Sequence, residues 1–307
     1  MSKRKIIFDS DPGIDDAVAI AVLLKACKER VKLFLSTYGN TSVENTTRNA
    51  ECVLSLLGAD IPIIRGSQTP SPGNGTYVDA AYIHGGDGIG GLQNSDVFKN
   101  LTVRKAIDGD FVKIVYEAIV EEGSVDYIAI GPLTNLSALI KRYPDVTERI
   151  NHAIIMGGSI GFGNITEFAE FNFYCDAESA GHVLSSLPRM TLTPLNITTQ
   201  VAFNLAEIAR IGEAGTKAAT FMEAILTTNY HQCIAYGDSG STMHDSTAIL
   251  AYLYPELFKS EQCGIRVNCD KERYGECTIE KDGNNVQLIA ETNPKRLLEI
   301  IQEAVRS

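Results

Sequence analysis

The stretch KIIFDSDPGIDDAVAIAVLLKACKE, residues 5–29, places an apolar run, an acidic turn and a helical pattern directly after one another. The run at 5–8 has the Ile and Phe content of a short buried strand, and residues 15–29 carry apolar side chains at helical spacing. A strand that leads into a helix through a short turn is typical of βαβ units. This stretch therefore predicts an α/β fold.

The same alternation continues along the first two thirds of the chain. Buried strands are expected at short apolar runs, namely residues 5–8, 31–37, 61–64, 126–130, 152–156 and 190–194. A second amphipathic helix is expected at 43–57, because Gly58 follows it as a stop signal. Strands that alternate with helices imply right-handed crossovers and a mostly parallel, Rossmann-like sheet flanked by helices.

The sequence shows no linker, repeat or low-complexity tract that would mark a domain boundary. We therefore expect one domain over residues 1–307, with a small β element at 264–268 and 276–280 and a terminal helix from Pro294. Long glycine-rich loops are expected at residues 71–91, 157–164 and 237–240. Loops of this kind in compact domains are usually lids or binding loops.

Composition and charge exclude several classes of function. The 27 Lys and Arg against 38 Asp and Glu give a net charge of −11, which argues against a nucleic-acid partner. No apolar run approaches the ~20 residues of a membrane helix, and no secretory signal precedes the first strand. The seven cysteines are scattered without a C-x-x-C pair, so neither a disulfide framework nor a zinc site is expected. We expect a cytoplasmic protein with reduced thiols and no membrane association.

Polar and glycine-rich turns follow most of the predicted strands. They are residues 9–11, 38–40, 131–135, 157–158 and Asn196. In an open parallel sheet the ligand crevice lies outside the carboxyl ends of the strands. These turns are therefore expected to converge on a single site.

Four carboxylates lie within residues 9–16, those of Asp9, Asp11, Asp15 and Asp16. Like charges this close raise one another's pKa and destabilise the fold unless a cation neutralises them. The dipole of the following helix contributes only about 0.3–1 kcal/mol per carboxylate. Because all the donors are oxygens, Ca²⁺ or Mg²⁺ would suit them. The alternative is an acidic turn whose aspartates cap the helix.

Two further regions carry candidate ligand groups. Asp245, after His244 and before an apolar helical stretch, either caps that helix or completes a metal shell, and His84 lies in a glycine-rich loop where it could meet a ligand. Residues 163–172, GNITEFAEFN, offer the donors and acceptors that a sugar requires. Glu170 and Asn172 are expected on one face of an extended segment, and the alternative is an ordinary polar strand edge.

A series of motifs occurs in order along the chain: DSDPGIDD (9–16), GN (39–40), HGGDG (84–88), GPLTN (131–135), MGG (156–158), AEFN (169–172) and HD (244–245). This series resembles the inosine-uridine preferring nucleoside hydrolase family from residue 5 to about residue 250, and the aspartate motif is its most specific part. The resemblance implies a calcium-dependent enzyme with a single α/β domain that hydrolyses the N-glycosidic bond of ribonucleosides. It also implies a homodimer or homotetramer.

The resemblance implies roles for individual residues. The Ca²⁺ ligands would be Asp11, Asp16, Asp245 and the backbone carbonyl of Ile130. The general base that activates the hydrolytic water would be Asp15. The substrate-binding residues would be Asn40, Met156, Asn164, Glu170, Phe171 and Asn172. The departing base would receive its proton from His244, and secondarily from His84, because histidine can be charged near neutral pH.

Gln232 and Tyr236 bear on the preferred base. They lie four residues apart and hence on one face of a predicted helix, and they resemble a pair used by pyrimidine-preferring members of the family. The chain has no Trp, which counts against the purine-specific branch that stacks its base between tryptophans. We expect purine and pyrimidine nucleosides as substrates, with pyrimidine slightly favoured.

Two rival functions fit part of the pattern. A magnesium-dependent phosphohydrolase of the haloacid-dehalogenase type also begins with a strand and Asp-x-Asp, but Gly13 stands where that family has Thr or Val. A non-catalytic sugar- or nucleoside-binding protein would use polar loops at strand ends, but it would not require four crowded carboxylates.

Overall fold

The computed structural model describes residues 4–72, 77–98 and 101–306. The strands are β1 Lys5–Ser10, β2 Val31–Ser36, β3 Ile63–Arg65, β4 Val125–Ala129, β5 Ile150–Met156, β6 Met190–Thr193, β7 Ala202–Phe203, β8 Ser241–Thr242, β9 Phe258–Val267, β10 Cys277–Glu280 and β11 Val286–Thr292. The helices are α1 Ile14–Cys27, α2 Val43–Leu56, α3 Ala81–His84, α4 Phe111–Glu122, α5 Thr134–Arg142, α6 Phe171–Cys175, α7 Ala177–Ser186, α8 Leu195–Thr198, α9 Leu205–Gly212, α10 Lys217–Ala235, α11 His244–Leu253 and α12 Pro294–Val305.

One nine-stranded sheet organises the described part of the chain, in the order β10-β9-β11-β6-β5-β4-β1-β2-β3. The consecutive strands from β11 to β3 run parallel, and β9 is antiparallel to both of its neighbours. The predicted class, a mostly parallel sheet flanked by helices in a single α/β domain, is confirmed. The small β element near the C-terminus is also confirmed, and β9 and β10 extend the edge of the main sheet.

The order of the strands reverses at β1. From β1 the chain proceeds to β2 and β3 on one side, and it then returns to place β4 on the other side of β1. Such a reversal separates the loops that leave the two strands and opens a crevice at their carboxyl ends. The loop after β1 carries the aspartate motif, so the topology places that motif at the crevice.

Apolar side chains cover both faces of the sheet. In β1, Ile6 and Phe8 pack with helices α1, α2 and α9–α12, whereas Ile7 packs with α4, α5 and α7 on the opposite face. This alternation is the period of two that a strand imposes on its side chains. Sheets buried on both faces have nearly continuous apolar strands, which explains why the sequence runs predicted them.

The helix and loop predictions agree with the structure in most places. The predicted helix at 43–57 is α2, and its N-cap Ser42 accepts a hydrogen bond from the amide of Asn45. The predicted loop at 71–91 contains the short helix α3, and its residues 73–76 lie outside the described residues. Among the described residues, none of the helices combines the length and the apolar character needed to cross a membrane.

A buried charge network closes the amino end of β4, away from the crevice. The carboxylate of Asp126 accepts hydrogen bonds from Arg30 Nη2 at 3.2 Å, from the Tyr252 hydroxyl at 2.7 Å and from Asn151 Nδ2 at 2.9 Å. Asp126→Ala leaves a partly buried guanidinium and two polar groups without this acceptor. We expect the free energy of unfolding to fall by about 3 kcal/mol, as measured by urea denaturation.

The matched control for this prediction is Tyr252→Phe, which removes one hydroxyl and keeps the ion pair. It is expected to cost only about 1 kcal/mol. Equal denaturation midpoints for Asp126→Ala and the wild type would contradict a stabilising role for the network.

Candidate active site

A cavity of about 360 Å³ lies at the carboxyl ends of the central strands. Its volume is within the range of small-molecule sites. Most of the sequence-predicted site residues line it, namely Asp11, Asp15, Asn40, His84, Ile130, Met156, Asn164, Glu170, Phe171, Asn172, Tyr236, His244 and Asp245. Asp16 is fully buried beside the cavity, and Gln232 is not among the described residues that line it. One pocket therefore collects residues that are up to 234 positions apart in sequence, from Asp11 to Asp245.

Three carboxylates form an acidic cluster, defined here as Asp15, Asp16 and Asp245. One oxygen of each lies within 4.8 Å of the others, and all three side chains are buried. Burial, and then repulsion from Asp16, raises the pKa of Asp15 to about 7. Burial and repulsion from Asp15 likewise raise the pKa of Asp245 well above its usual value. Carboxylates held this close favour a cation among them.

Asp16 is held in place by neutral donors. Its Oδ1 accepts a hydrogen bond from the Ser10 hydroxyl at 2.6 Å, and its Oδ2 accepts from the Gly13 amide at 2.9 Å and from Asn40 Nδ2 at 2.8 Å. Gly13 is the N-cap of α1, so these bonds tie the cluster to the start of that helix. The orientation of this carboxylate is therefore fixed by the fold.

Asp11 adds a fourth carboxylate with a bare oxygen. Its Oδ2 accepts a hydrogen bond from the Asn40 amide at 2.7 Å, whereas its buried Oδ1 has no hydrogen-bond partner among the described residues. Leaving a buried anionic oxygen unpaired is costly, and coordination of a cation would satisfy it. Together with the oxygen-only donor set, this atom shows that the residues fit a hard divalent ion.

Two glycines make room for that carboxylate. A Cβ at Gly39 would lie 2.0 Å from Asp11 Oδ2, and one at Gly131 would lie 2.4 Å from Asp11 Oδ1. Gly39 follows β2 and Gly131 follows β4, on the two sides of β1. Both positions therefore require glycine while Asp11 keeps this place.

Asp9 lies in a separate network below the site. Its carboxylate accepts hydrogen bonds from the Tyr127 hydroxyl at 2.7 Å and from Asn135 Nδ2 at 2.9 Å. It is not among the described residues that line the cavity. The sequence predicted that the four neighbouring carboxylates form one group. In the structure, side chains alternate between the two faces of β1, so the carboxylate of Asp9 points away from the other three.

Residues 170–172 begin a helix, so the predicted extended segment is wrong here. Glu170 is the N-cap of α6 and accepts hydrogen bonds from the amides of Asn172, Phe173 and Gly158 at 2.9, 3.1 and 2.8 Å. Burial raises the pKa of Glu170 to about 7, although these amides oppose the shift. The carboxylate of Glu170 caps the helix, and this capping stabilises a helix start where the sequence predicted a strand-like alternation of side chains.

Asn172 links this segment to the strand ends. Its Nδ2 donates to the carbonyl oxygen of Ile130 at 3.0 Å and to that of Met156 at 3.3 Å. Nearby, Asn164 Oδ1 accepts from the amide of Phe171 at 2.9 Å. The carbonyl of Ile130 has a second lone pair, so this hydrogen bond leaves it able to serve as a ligand.

Both cavity histidines are held through Nδ1, and His84 is buried whereas His244 is half-buried. His84 Nδ1 accepts from the amide of Ile14 at 3.1 Å, which satisfies the first amide of α1, and His244 Nδ1 lies 2.7 Å from the Thr198 hydroxyl. Burial lowers the pKa of His84 to about 3 and that of His244 to about 4. Burial therefore favours neutral imidazoles at pH 7, and because the Nδ1 of His84 accepts a hydrogen bond, its proton is on Nε2.

Several lining residues were not predicted from the sequence. Helix α10 presents Asn229 and Cys233 to the cavity, and Tyr236 follows directly after the helix, at the i, i+4, i+7 spacing of one face. Gln232 shares this spacing, since it lies three residues after Asn229 and four before Tyr236, yet it is not among the described residues that line the cavity. Tyr82 of α3 packs its ring 5.2 Å from that of Tyr236 at the mouth. The helical spacing was visible in the sequence, but nothing local showed which face meets the cavity.

The sequence model of the inosine-uridine preferring nucleoside hydrolase family matches residues 6–299. The chain is 36% identical over 264 residues to the non-specific ribonucleoside hydrolase RihC of Salmonella schwarzengrund, covering 85% of this chain and 82% of that protein. It is 34% identical over 276 residues to RihC of Salmonella paratyphi A, covering 89% of this chain and 87% of that protein.

Solved structures agree with this similarity. The plant nucleoside hydrolase PpNRh1 superposes with a TM-score of 0.90 at 27% identity over 100% of both chains. The purine-preferring ribonucleoside hydrolase of Gardnerella vaginalis has the same fold, with a TM-score of 0.89 at 23% identity over 99% of this chain and 98% of that chain. The chain therefore belongs to the inosine-uridine preferring nucleoside hydrolase family and is an enzyme that acts on the N-glycosyl bond of ribonucleosides.

Proposed function

We propose that this enzyme hydrolyses purine and pyrimidine ribonucleosides in a calcium-dependent reaction that releases ribose and the free base. The observation that carries the proposal is the acidic cluster together with the bare Oδ1 of Asp11, at the floor of a cavity of nucleoside size. The same cavity is lined by amide and carboxylate side chains suited to a polyhydroxylated ligand, those of Asn40, Asn164, Glu170 and Asn172.

The ion would be held by Asp11, Asp16, Asp245 and the carbonyl oxygen of Ile130. Calcium accepts about six to eight oxygen ligands in flexible geometry, whereas magnesium demands a near-ideal octahedron. When bound, the ion would orient a water molecule and the sugar hydroxyls and would offset the charge of the carboxylates. A set of carboxylates and one backbone carbonyl supports calcium better than a transition metal, because no nitrogen or sulfur donor belongs to it.

Asp15 would act as the general base. It lines the cavity beside Asp245, and its raised pKa of about 7 places its proton affinity near the working pH of a cytoplasmic enzyme. The raised pKa makes Asp15 a stronger base than an exposed aspartate, and a cation bound beside it would favour its ionised form. Asp15 would thus take the proton of the water that attacks the anomeric carbon.

The residues around the sugar would stabilise the charge that develops. Breaking an N-glycosidic bond builds positive charge on the ribosyl ring, and anionic groups near the ring lower the energy of that state. Glu170 is held rigidly by three backbone amides, so its carboxylate needs no reorganisation during the reaction. Asn172, bonded to the carbonyls of Ile130 and Met156, would help to fix the orientation of the ribose.

His244 would assist the departure of the base. It lines the cavity, and with Nδ1 beside Thr198 its Nε2 is left for the substrate. We expect His244→Ala to slow nucleosides with poor leaving groups most and those with activated leaving groups least. Steady-state kcat values for natural nucleosides and for a nitrophenyl riboside measure this contrast. Uniform loss across all substrates would argue against an acid role.

We propose that pyrimidine nucleosides are slightly favoured among a broad range of substrates. The relatives named RihC are described as non-specific, which supports breadth. Tyr236 in the cavity and the lack of Trp in the sequence support pyrimidines. Gln232 adds no support, because it is not among the described residues that line the cavity.

The deciding assay is release of free ribose from uridine, cytidine, inosine and adenosine, with and without a chelator. Ribose release that stops with chelator and returns with Ca²⁺ is the expected result. Release of phosphate from a phosphomonoester would favour the phosphohydrolase, and binding of a nucleoside without turnover would favour a binding protein.

We further propose that the enzyme is a homodimer or homotetramer and that it works in the cytoplasm. All seven cysteines are free thiols in the structure, which is consistent with a reducing compartment. Light scattering during gel filtration measures the oligomer directly, and a monomeric mass would contradict this part of the proposal.

A further inference from the structure

Asn229 carries a buried side-chain amide that has no role in the proposed hydrolysis. It lies on α10, lines the cavity and is only 3% exposed. Buried amides normally satisfy both ends of the side chain with hydrogen bonds. The partners of its two ends therefore show what Asn229 can offer to a ligand.

The oxygen end of this amide is already occupied. Asn229 Oδ1 accepts a hydrogen bond from the Ser241 hydroxyl at 2.6 Å and another from the Cys233 thiol at 3.4 Å. The sulfur of Cys233 also accepts from the amide of Thr242, and its thiol has a second acceptor in the carboxylate of Asp238, so the bond from Ser241 is the stronger contact on Asn229 Oδ1. These contacts fix the orientation of the amide with its oxygen turned into the protein.

The nitrogen end is left for the cavity. Within residues 4–72, 77–98 and 101–306, Asn229 Nδ2 has no hydrogen-bond acceptor, although the residue lines the pocket. A primary amide nitrogen donates two hydrogen bonds and accepts none. Asn229 therefore presents a donor to whatever occupies this part of the cavity.

The position of Asn229 indicates which half of a nucleoside it meets. The sugar-facing residues and the carboxylates come from the loops after the strands, from the first turns of α1 and α11, and from the start of α6. Across from them, α3 packs against α10 to form a second wall, defined by Tyr82, Ile83, Asn229, Cys233 and Tyr236. This α3–α10 wall carries aromatic and apolar surface suited to a flat heterocycle. With the ribose on the strand-end side, the base is left to the α3–α10 wall.

We propose that Asn229 is a specificity-determining residue that donates a hydrogen bond to the oxo group at C6 of a purine or at C4 of a pyrimidine. The inference rests on the proposed nucleoside hydrolysis and deepens it. A base with an oxo group, such as hypoxanthine or uracil, accepts from Nδ2. The corresponding amino group of adenine or cytosine is itself a donor. It would face the donor nitrogen of Asn229, and neither group would have a hydrogen-bond acceptor. Asn229 therefore favours inosine over adenosine and uridine over cytidine.

The test is a set of kcat/KM values for these four nucleosides in the wild type and in Asn229→Asp. The new carboxylate keeps an oxygen for Ser241 and Cys233 and replaces the outward donor by an acceptor. We expect the inosine-to-adenosine and uridine-to-cytidine ratios to fall by about tenfold or more. Asn229→Leu removes the donor without adding an acceptor, so it is expected to lower the same ratios and provides the result if the aspartate variant does not fold.

A matched control is Thr227→Val on the same helix, at a position that is not among the described residues lining the cavity. Its ratios are expected to equal those of the wild type. Equal slowing of all four nucleosides in the Asn229 variants would show that the residue only packs the helix and would overturn the inference. A wild-type enzyme that releases no ribose from any nucleoside would overturn the proposed function itself.

Discussion

Asp15→Asn is expected to lower kcat by roughly 10²–10⁴-fold, the contribution typical of a general base. Asparagine has nearly the shape of aspartate but cannot accept the proton of the attacking water. The acidic cluster loses one of its buried charges, so the fold is expected to remain intact and substrate binding to change little. Steady-state kinetics with the best nucleoside and circular dichroism measure the two effects separately.

A matched control is Asp126→Ala, a substitution of another buried carboxylate at the amino end of β4. It is expected to show the opposite pattern, with loss of stability and near wild-type turnover at a temperature where it is folded. Turnover of Asp15→Asn close to that of the wild type would remove Asp15 from the chemistry.

Removal of divalent ions is the second change with a large expected effect. With a chelator we expect hydrolysis to stop and thermal stability to fall, because the buried carboxylates then repel one another without compensation. An ion present at about 100 times its Kd stabilises the folded state by about 2.7 kcal/mol. Thermal unfolding in the presence of increasing Ca²⁺ measures this stabilisation independently of activity.

Asp245→Asn serves as the control for the metal experiment. It removes one proposed ligand, so the midpoint of its unfolding is expected to depend much less on Ca²⁺. Full activity of the wild type after exhaustive chelation, with no metal found by elemental analysis, would contradict the calcium proposal. A preference for Mg²⁺ in the same titration would correct the identity of the ion and keep the site.

The strand-end part of the site could be predicted from the sequence because it depends on local order along the chain. Asp11, Asn40 and Ile130 each follow a strand of the parallel sheet, and such strands deliver their carboxyl ends to one edge. The motif at 9–16 is contiguous, so its helix start and its carboxylates were visible together. The sheet topology places β4 beside β1, which brings Ile130 close to the aspartate motif.

The α3–α10 wall could not be predicted in the same way. Helix α10 buries Phe221, Met222, Ile225 and Leu226, and the buried Asn229 and Cys233 continue the same stripe, so the apolar pattern predicts a contact with the core and does not reveal that part of the stripe meets a cavity. The rotation of the helix is set by packing against α1, α3 and α9. For this reason Gln232 was selected, while its neighbours Asn229 and Cys233 were missed.

The protonation state of the two histidines also could not be predicted from the sequence. The proposed proton transfer from the histidines assumed that they can be charged near neutral pH, but burial lowers the pKa of His244 and of His84. Burial is a property of the assembled cavity, because His84 comes from α3 and His244 from the start of α11. The hydrogen bond between His84 and the first amide of α1 likewise joins residues 70 positions apart.

Gly39 and Gly131, which pack against the carboxylate of Asp11, are expected to vary together with Asp11 among related sequences. A methyl group at residue 39 or residue 131 and a carboxylate at residue 11 cannot share the same space. A lineage that drifts to alanine at either glycine must therefore also exchange or displace its aspartate, and with it the bare oxygen of the site. Related sequences that keep Asp11 are therefore expected to keep Gly39 and Gly131, and sequences that lack Asp11 are expected to vary at both glycine positions.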